Sequence, residues 1–189
     1  APLWPAVIPH THVRTFGSGP RHVLALHCSL AHAGAWRGMA AEMAERVTLH
    51  ALDLPNHGKS GDWSGTGIMH DTATAMALHV LDGMNHAPVD IIGHSFGATA
   101  DDPRCATRYA AKTAEFDTAI DAGEDEAAAR AFHQAWGDGP PWQSIPAQTR
   151  KYMIDRIQFV RHSAPMVVGD SAGLLAPGRF AQVSVPVLL

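Results

Sequence analysis

Residues 89–104, "VDIIGHSFGATADDPR", decide how this chain is read. Val89–Gly93 is a short apolar run ending in a turn signal, the pattern of a buried strand. Gly93-His94-Ser95-Phe96-Gly97 then matches G-x-S-x-G, and Ala98, Thr99 and Ala100 are small enough to open a helix. A sharp strand-to-helix turn holds a serine in strained backbone geometry. Flanking glycines remove the Cβ atoms that would collide there. Ser95 Oγ then stands at a helix N-terminus, where free N–H groups and the dipole favour developing negative charge. The pattern predicts a nucleophilic serine at position 95. From Asp101 the character changes, because "DDPR" does not continue the small-residue helix.

Working outward, apolar runs alternate with helical patterns. "HVRTF" (12–16) reads as an edge strand followed by a "GSGP" turn, and "HVLALH" (22–27) as a buried strand. "AWRGMAAEMAERV" (35–47) predicts a helix, with Met39, Met43 and Val47 at four-residue spacing. "VTLHALDL" (47–54) predicts the next strand, leading into a Pro/Asn/Gly turn at 55–58. A helix is expected at 70–84. Ala73, Met76, Ala77, Val80, Leu81 and Met84 give it one apolar stripe, and Asn85 and Pro88 close it. This alternation predicts an α/β fold with a doubly wound, mostly parallel sheet covered on both faces. Ligands of such sheets bind beyond the carboxyl ends of the strands. The loops at 28–36, 55–63 and 93–97 each follow a strand, so they are expected to converge on one edge.

Beyond Asp101 the pattern is helical. "RCATRYAAKTAEFDTAIDAG" (104–123), "DEAAARAFHQAWG" (125–137) and "AQTRKYMIDRIQFVRH" (147–162) are amphipathic and separated by Gly/Pro loops such as "GDGPPW" (137–142). They predict an all-helical unit lying over the sheet edge. "VSVPVLL" (183–189) reads as a returning strand. The expected organisation is an α/β core over 1–100, a helical cap over 101–180 and a core strand over 181–189.

With 189 residues, 46% hydrophobic and 17% charged, the chain is long enough for a sizeable core. A formal net charge of −4 without a basic stripe argues against a nucleic-acid partner. No apolar run approaches the ~20 residues of a membrane span, and the first residues do not have the pattern of a signal peptide. Cys28 and Cys105 fit no metal or disulfide spacing, so two reduced thiols and a cytoplasmic location are expected. Thirteen histidines raise the question of a metal. His10 and His12 would share a strand face, and His27 and His32 one loop. No H-E-x-x-H and no Cys/His set at zinc spacing supports one, so neither metal nor cofactor is expected.

Three motifs, in order, make the chain resemble the α/β-hydrolase superfamily, in its serine-nucleophile branch with a helical cap. "LHCSLAHAGAW" (26–36) resembles the family's His-Gly loop, with Trp36 at the expected distance. "DLPNHGKSG" (53–61) is similar to its Asp-x-Pro-Gly-x-Gly-x-Ser loop, and "GHSFGA" (93–98) to its nucleophile elbow. The resemblance implies Ser95 as nucleophile, with the backbone N–H groups of Ser29 and Phe96 as the oxyanion hole. It implies that His27 orients the oxyanion loop, while His32 and Trp36 line the pocket or pack. Asp53 and Ser60 brace their loop rather than catalyse. His94 should point away from the serine into the sheet packing, since a base must reach Oγ at hydrogen-bond distance. Two positions depart from the pattern. Cys28 stands for a usual glycine and is read as buried filler. Asn56 stands for another, a mild change because Asn tolerates positive φ.

In this superfamily the acid follows a later strand and the histidine comes after the last one. Neither place lies within these residues. The family pattern also continues past the elbow through a helix and a strand, about 25 residues, whereas here "DDPR" follows Ala100 directly. The expectation is that the parent protein holds residues beyond these 189. His133 and His162, and Asp101, Asp102 and Asp170, are available, and nothing in their spacing selects one. The expected function is a serine hydrolase acting on a small ester, a thioester or a carbon–carbon bond beside a carbonyl. Trp136, Trp142, Met153 and Phe159 either shape an apolar acyl site or form cap core. Serine at the elbow argues against the dehalogenase and epoxide-hydrolase branches, which use Asp there. The alternative is a ligand-binding module of the same fold without a complete triad. The partner expected is a small-molecule substrate, without nucleic acid or membrane, and a homodimer is left open.

Overall fold

Short β-branched and apolar runs bounded by turns pair into one four-stranded sheet. The strands are Val13–Phe16 (β1), Arg21–Leu26 (β2), Val47–Leu52 (β3) and Val89–Gly93 (β4), in the order β1-β3-β2-β4. The structure, a computed structural model, describes residues 7–84, 88–94, 103–137, 139–167 and 176–178. The expected strand over 183–189 lies outside them. β2 pairs in parallel with both β3 and β4, while β1 runs antiparallel to β3 at the edge. β3 therefore lies between β1 and β2, although only a four-residue turn joins those two in the chain. The turn passes close to the start of β3: a Cβ on Gly19 would overlap the Arg46 and Val47 backbone, so only glycine fits.

Each crossover carries a helix, and each helix covers one face. A 3₁₀ turn at Ala33–Trp36 continues into α1 (Arg37–Glu42), between β2 and β3. Ala33 and Ala40 are buried with Ala25, Leu49 and Ala51, and Trp36, Met39 and Met43 pack around them. Helix α2 (Met69–Asp82) covers the opposite face, where Met76 is buried against Leu24, Leu52 and Leu54. Ala73, Ala77, Val80 and Leu81 of the expected stripe pack there too. Full burial of a side chain the size of Leu24 or Met76 contributes about 1.5–3 kcal/mol. The helix expected over 35–47 is shorter than its spacing suggested. The Arg46 and Val47 N–H groups both turn back to the Met43 carbonyl, and Val47 opens β3 opposite Arg21. A β-branched residue gains more from a buried ladder position than from a last helical turn. β4 is less buried than its composition suggests, with Ile91 62% exposed.

The segment after the elbow is helical, as its amphipathic pattern predicts: α3 (Pro103–Asp121), α4 (Asp125–Trp136), a 3₁₀ turn at Trp142–Ser144, α5 (Ala147–Ile154) and α6 (Ile157–Val167). These helices share a core of Phe116, Ile120, Ala128, Trp142, Ile145, Ile157 and Val160, into which Leu30 of the sheet-edge loop inserts. Among the described residues no helix is long and apolar enough to cross a membrane.

Candidate active site

The ends of β2, β3 and β4 lie abreast, with Leu26 paired to Leu52 on one side and to Gly93 on the other. The three post-strand loops therefore leave the same edge, as their positions predict. The strand order adds what the sequence did not give. The chain steps from β2 to β3 on one side and then to β4 on the other, so the topological switch lies at β2, where doubly wound sheets bind ligands. His94, the residue before Ser95 in the chain, donates its N–H to the Leu26 carbonyl at 3.1 Å. This joins the start of the elbow to the start of the first loop. Ser95 and Phe96 themselves lie outside the described residues.

The first loop holds a four-residue turn, closed by the Ala31 N–H to the Cys28 carbonyl at 3.2 Å. Its third residue, Leu30, has φ +62°, the left-handed value a type II turn requires there. A leucine in that basin is costly, so other contacts must hold it. The Leu30 N–H donates to His57 Nε2 at 3.2 Å, and its side chain lies in the helical core. The Ala31 carbonyl accepts from Tyr152 Oη at 2.9 Å, and the Cys28 carbonyl lies 2.8 Å from His27 Nδ1. Within the turn the Ser29 N–H meets no acceptor among the described residues.

Two buried histidines clasp the first and second loops reciprocally. His27 Nε2 accepts the Leu54 N–H at 3.0 Å, and His57 Nε2 accepts the Leu30 N–H. Each ring therefore carries its proton on Nδ1, donated to a carbonyl: Cys28 for His27, Pro55 (2.8 Å) for His57. The rings meet edge-on at 5.0 Å, and Phe159 lies across His57 at 4.2 Å. Burial keeps both neutral, lowering His27 below the ordinary imidazole range and His57 to about 3, where the neighbouring His27 further opposes charge.

Asp53 is the hub of the second loop. Its buried carboxylate accepts the N–H groups of Ala33 (2.6 Å) and Lys59 (3.0 Å) and lies 2.8 Å from His12 Nδ1. Burial alone would raise this carboxyl, but the two N–H donors and His12 outweigh it and hold the group below its ordinary value. Ser60 Oγ donates to the Asp53 carbonyl and accepts the His12 N–H. Asp53 and Ser60 thus brace the loop, as expected. Asn56 adopts φ +66° and its Oδ1 accepts the Trp63 N–H at 3.0 Å. The asparagine supplies both the conformation of the glycine it replaces and a bond glycine could not make.

The remaining expected residues divide. His27 lies at the head of the first loop and ties it to the second. His32 is exposed and caps the 3₁₀ turn, its Nδ1 accepting the Gly34 N–H. Trp36 packs on the sheet core, where its buried Nε1 finds no acceptor among the described residues. His94, expected to point into the sheet packing, is exposed. Cys28 is a half-buried free thiol whose ionisation burial pushes up, consistent with filler. Trp142 and Phe159 are buried, Met153 packs on the helical core, and Trp136 is 44% exposed beneath Lys112. His133 bonds the Pro140 carbonyl, and His162 packs on Trp63. Among the described residues no group of three or more His, Cys, Asp or Glu could hold a metal. His57 and Tyr152 are the residues that sequence reasoning missed. His57 stood inside a quoted motif, its burial being the unread signal. Tyr152 Oη accepts the Gly58 N–H at 2.9 Å as well as donating to Ala31, contacts 94 and 121 residues apart in the chain that no local pattern marks.

Known proteins agree with this architecture. Lipase LipV of Mycobacterium tuberculosis is 36% identical over 87 residues, 46% of this chain and 32% of the lipase. The pimeloyl-(acyl-carrier protein) methyl ester esterase of Nitrosomonas europaea is 43% identical over 51 residues, 27% of this chain and 20% of the esterase. The chain thus spans a third or less of these relatives. Among solved structures, an alpha/beta hydrolase from Sphaerobacter thermophilus superposes with TM-score 0.61 at 19% identity, covering 93% of this chain and 76% of that one. MenH from S. aureus gives 0.56 at 14% identity, covering 84% and 71%. Residues 23–188 match the Alpha/beta hydrolase family, and with the elbow sequence, the ordered loops and the doubly wound sheet in place, the chain belongs to that family.

Proposed function

We propose that this chain carries the nucleophile and oxyanion side of a serine ester hydrolase working through an acyl-enzyme on Ser95. The observation that carries the reading is the register of the sheet edge. His94 is hydrogen-bonded to Leu26, at the root of the loop whose turn leaves the Ser29 N–H free of acceptors among the described residues. In the proposed reaction, Ser95 Oγ bonds to the ester carbonyl carbon and its proton passes to a base. The carbonyl oxygen gains charge, which the Ser29 and Phe96 N–H groups stabilise. The carbon–oxygen bond to the alcohol then breaks, and the alcohol leaves with that proton. Water attacks the acyl-serine, giving the acid and free Ser95. Both curated relatives are named for ester hydrolysis, which favours an ester over a thioester or a carbon–carbon bond. The helical unit then serves as a cap over the sheet edge, and the partner is a small-molecule substrate.

A fluorophosphonate probe tests the reading on the full-length protein. Stoichiometric labelling that disappears in Ser95→Ala is expected. Failure of the folded protein to label would overturn it in favour of the non-catalytic ligand-binding module.

A further inference from the structure

We infer that Tyr152, on the helical unit, is a positioning residue for the oxyanion turn. The inference rests on the serine-hydrolase reading above. The tyrosine Oη bridges two loops that the chain keeps far apart, accepting from Gly58 N–H and donating to the Ala31 carbonyl, both at 2.9 Å. Ala31 closes the turn that contains Ser29 and the left-handed Leu30. That turn is held at four points. His27 engages its first carbonyl and His57 the Leu30 N–H, while the helical core grips the Leu30 side chain and Tyr152 the last carbonyl. Two of the four come from the helical unit. A leucine returns to an ordinary backbone basin unless its surroundings over-determine the strained one. Loss of the Tyr152 bond therefore lets the turn relax and swings the Ser29 N–H off the direction in which an oxyanion donor must point.

The tyrosine is itself fixed. The Arg156 guanidinium lies over its ring at 4.0 Å, and His32 meets it edge-on at 5.7 Å. Burial pushes its phenol up, so it keeps the proton it donates at neutral pH. Helix α5 thereby reads out as alignment of the turn whether the helical unit is seated on the sheet edge.

The test compares wild type, Tyr152→Phe and Val47→Ala in the full-length protein. Val47 is buried in the sheet core at the start of β3, the end of the sheet opposite the loops, and lies outside the helical core that holds Leu30, so it reports general destabilisation. Hydrolysis of p-nitrophenyl butyrate is measured per fluorophosphonate-labelled serine, alongside melting temperature. Tyr152→Phe is expected to lower kcat about tenfold or more with KM within about twofold, as misalignment of a transition-state donor does. Val47→Ala is expected to keep kcat per labelled serine despite an equal or larger loss of melting temperature. An unchanged kcat in Tyr152→Phe overturns the inference, as does the same fall in both variants. In those cases labelling of wild type leaves the serine-hydrolase reading standing. Absence of wild-type labelling overturns both.

Discussion

His57 shows how much one side chain can organise at this edge. Its ring is fully buried, takes the Leu30 N–H on one nitrogen and gives its proton to Pro55 on the other. A charged imidazole would lose the acceptor that holds Leu30, and burial holds its folded value to about 3 against 6.5 for the free group. When unfolded, the same ring takes up a proton as the pH drops below about 6.5. The unfolded state then binds more protons than the folded one. The His57 contribution to stability is therefore complete above that value and is lost progressively as the pH falls toward 3. Over about pH 6 to 4.5 the slope from one such histidine is about 1.4 kcal/mol per pH unit. Urea unfolding of His57→Gln, which retains an acceptor for Leu30 but does not titrate, should show a slope shallower by that amount. Equal slopes in variant and wild type would show that His57 is not the group taking up the proton.

At the scale of elements, the second loop depends on one position more than any other. Gly58 sits at φ +55°, and a Cβ placed there would overlap the Asp53 carboxylate. That carboxylate anchors Ala33 of the first loop and Lys59 of its own. Gly58→Ala combines backbone strain with displacement of a buried, hydrogen-bonded charge, for a cost of about 2–4 kcal/mol. Thermal unfolding measures it, and a change under about 0.5 kcal/mol would show that the loop adjusts freely. The Gly-x-Ser spacing of this loop was legible in the sequence. The reason for the glycine was not, because Asp53 lies five residues back and only the folded turn brings its carboxylate beneath Gly58.

At the scale of the molecule, two cores are welded through a few side chains. The sheet buries its faces against α1 and α2, and the later helices bury a core of their own. Leu30 enters that second core from the sheet-edge loop, Phe159 lies on His57, and Tyr152 bonds both loops. With so many interlocked contacts, unfolding should be a single event. Trp36 reports on the sheet core and Trp142 on the helical core. Within the wild type, and separately within Trp142→Phe, urea transitions followed by tryptophan fluorescence and by far-UV circular dichroism should superimpose. Separate midpoints would show that the helical unit unfolds on its own.

The fold class, the helix and strand types and the convergence of three loops on one edge were determined by local pattern alone. Apolar periodicity and turn residues act over a few neighbours, and a parallel α/β sheet places every post-strand loop on the same side. Val47 marks the limit of that reasoning, since helix spacing and strand composition both claimed it and only pairing with Arg21 decided. The strand order, the histidine clasp, the strained Leu30 and the Tyr152 bridge belong to the tertiary structure. Each depends on groups 26 to 121 residues apart meeting at hydrogen-bond distance. Contacts of that range leave no periodic trace in a sequence, because they are selected by packing geometry rather than by the preferences of adjacent residues.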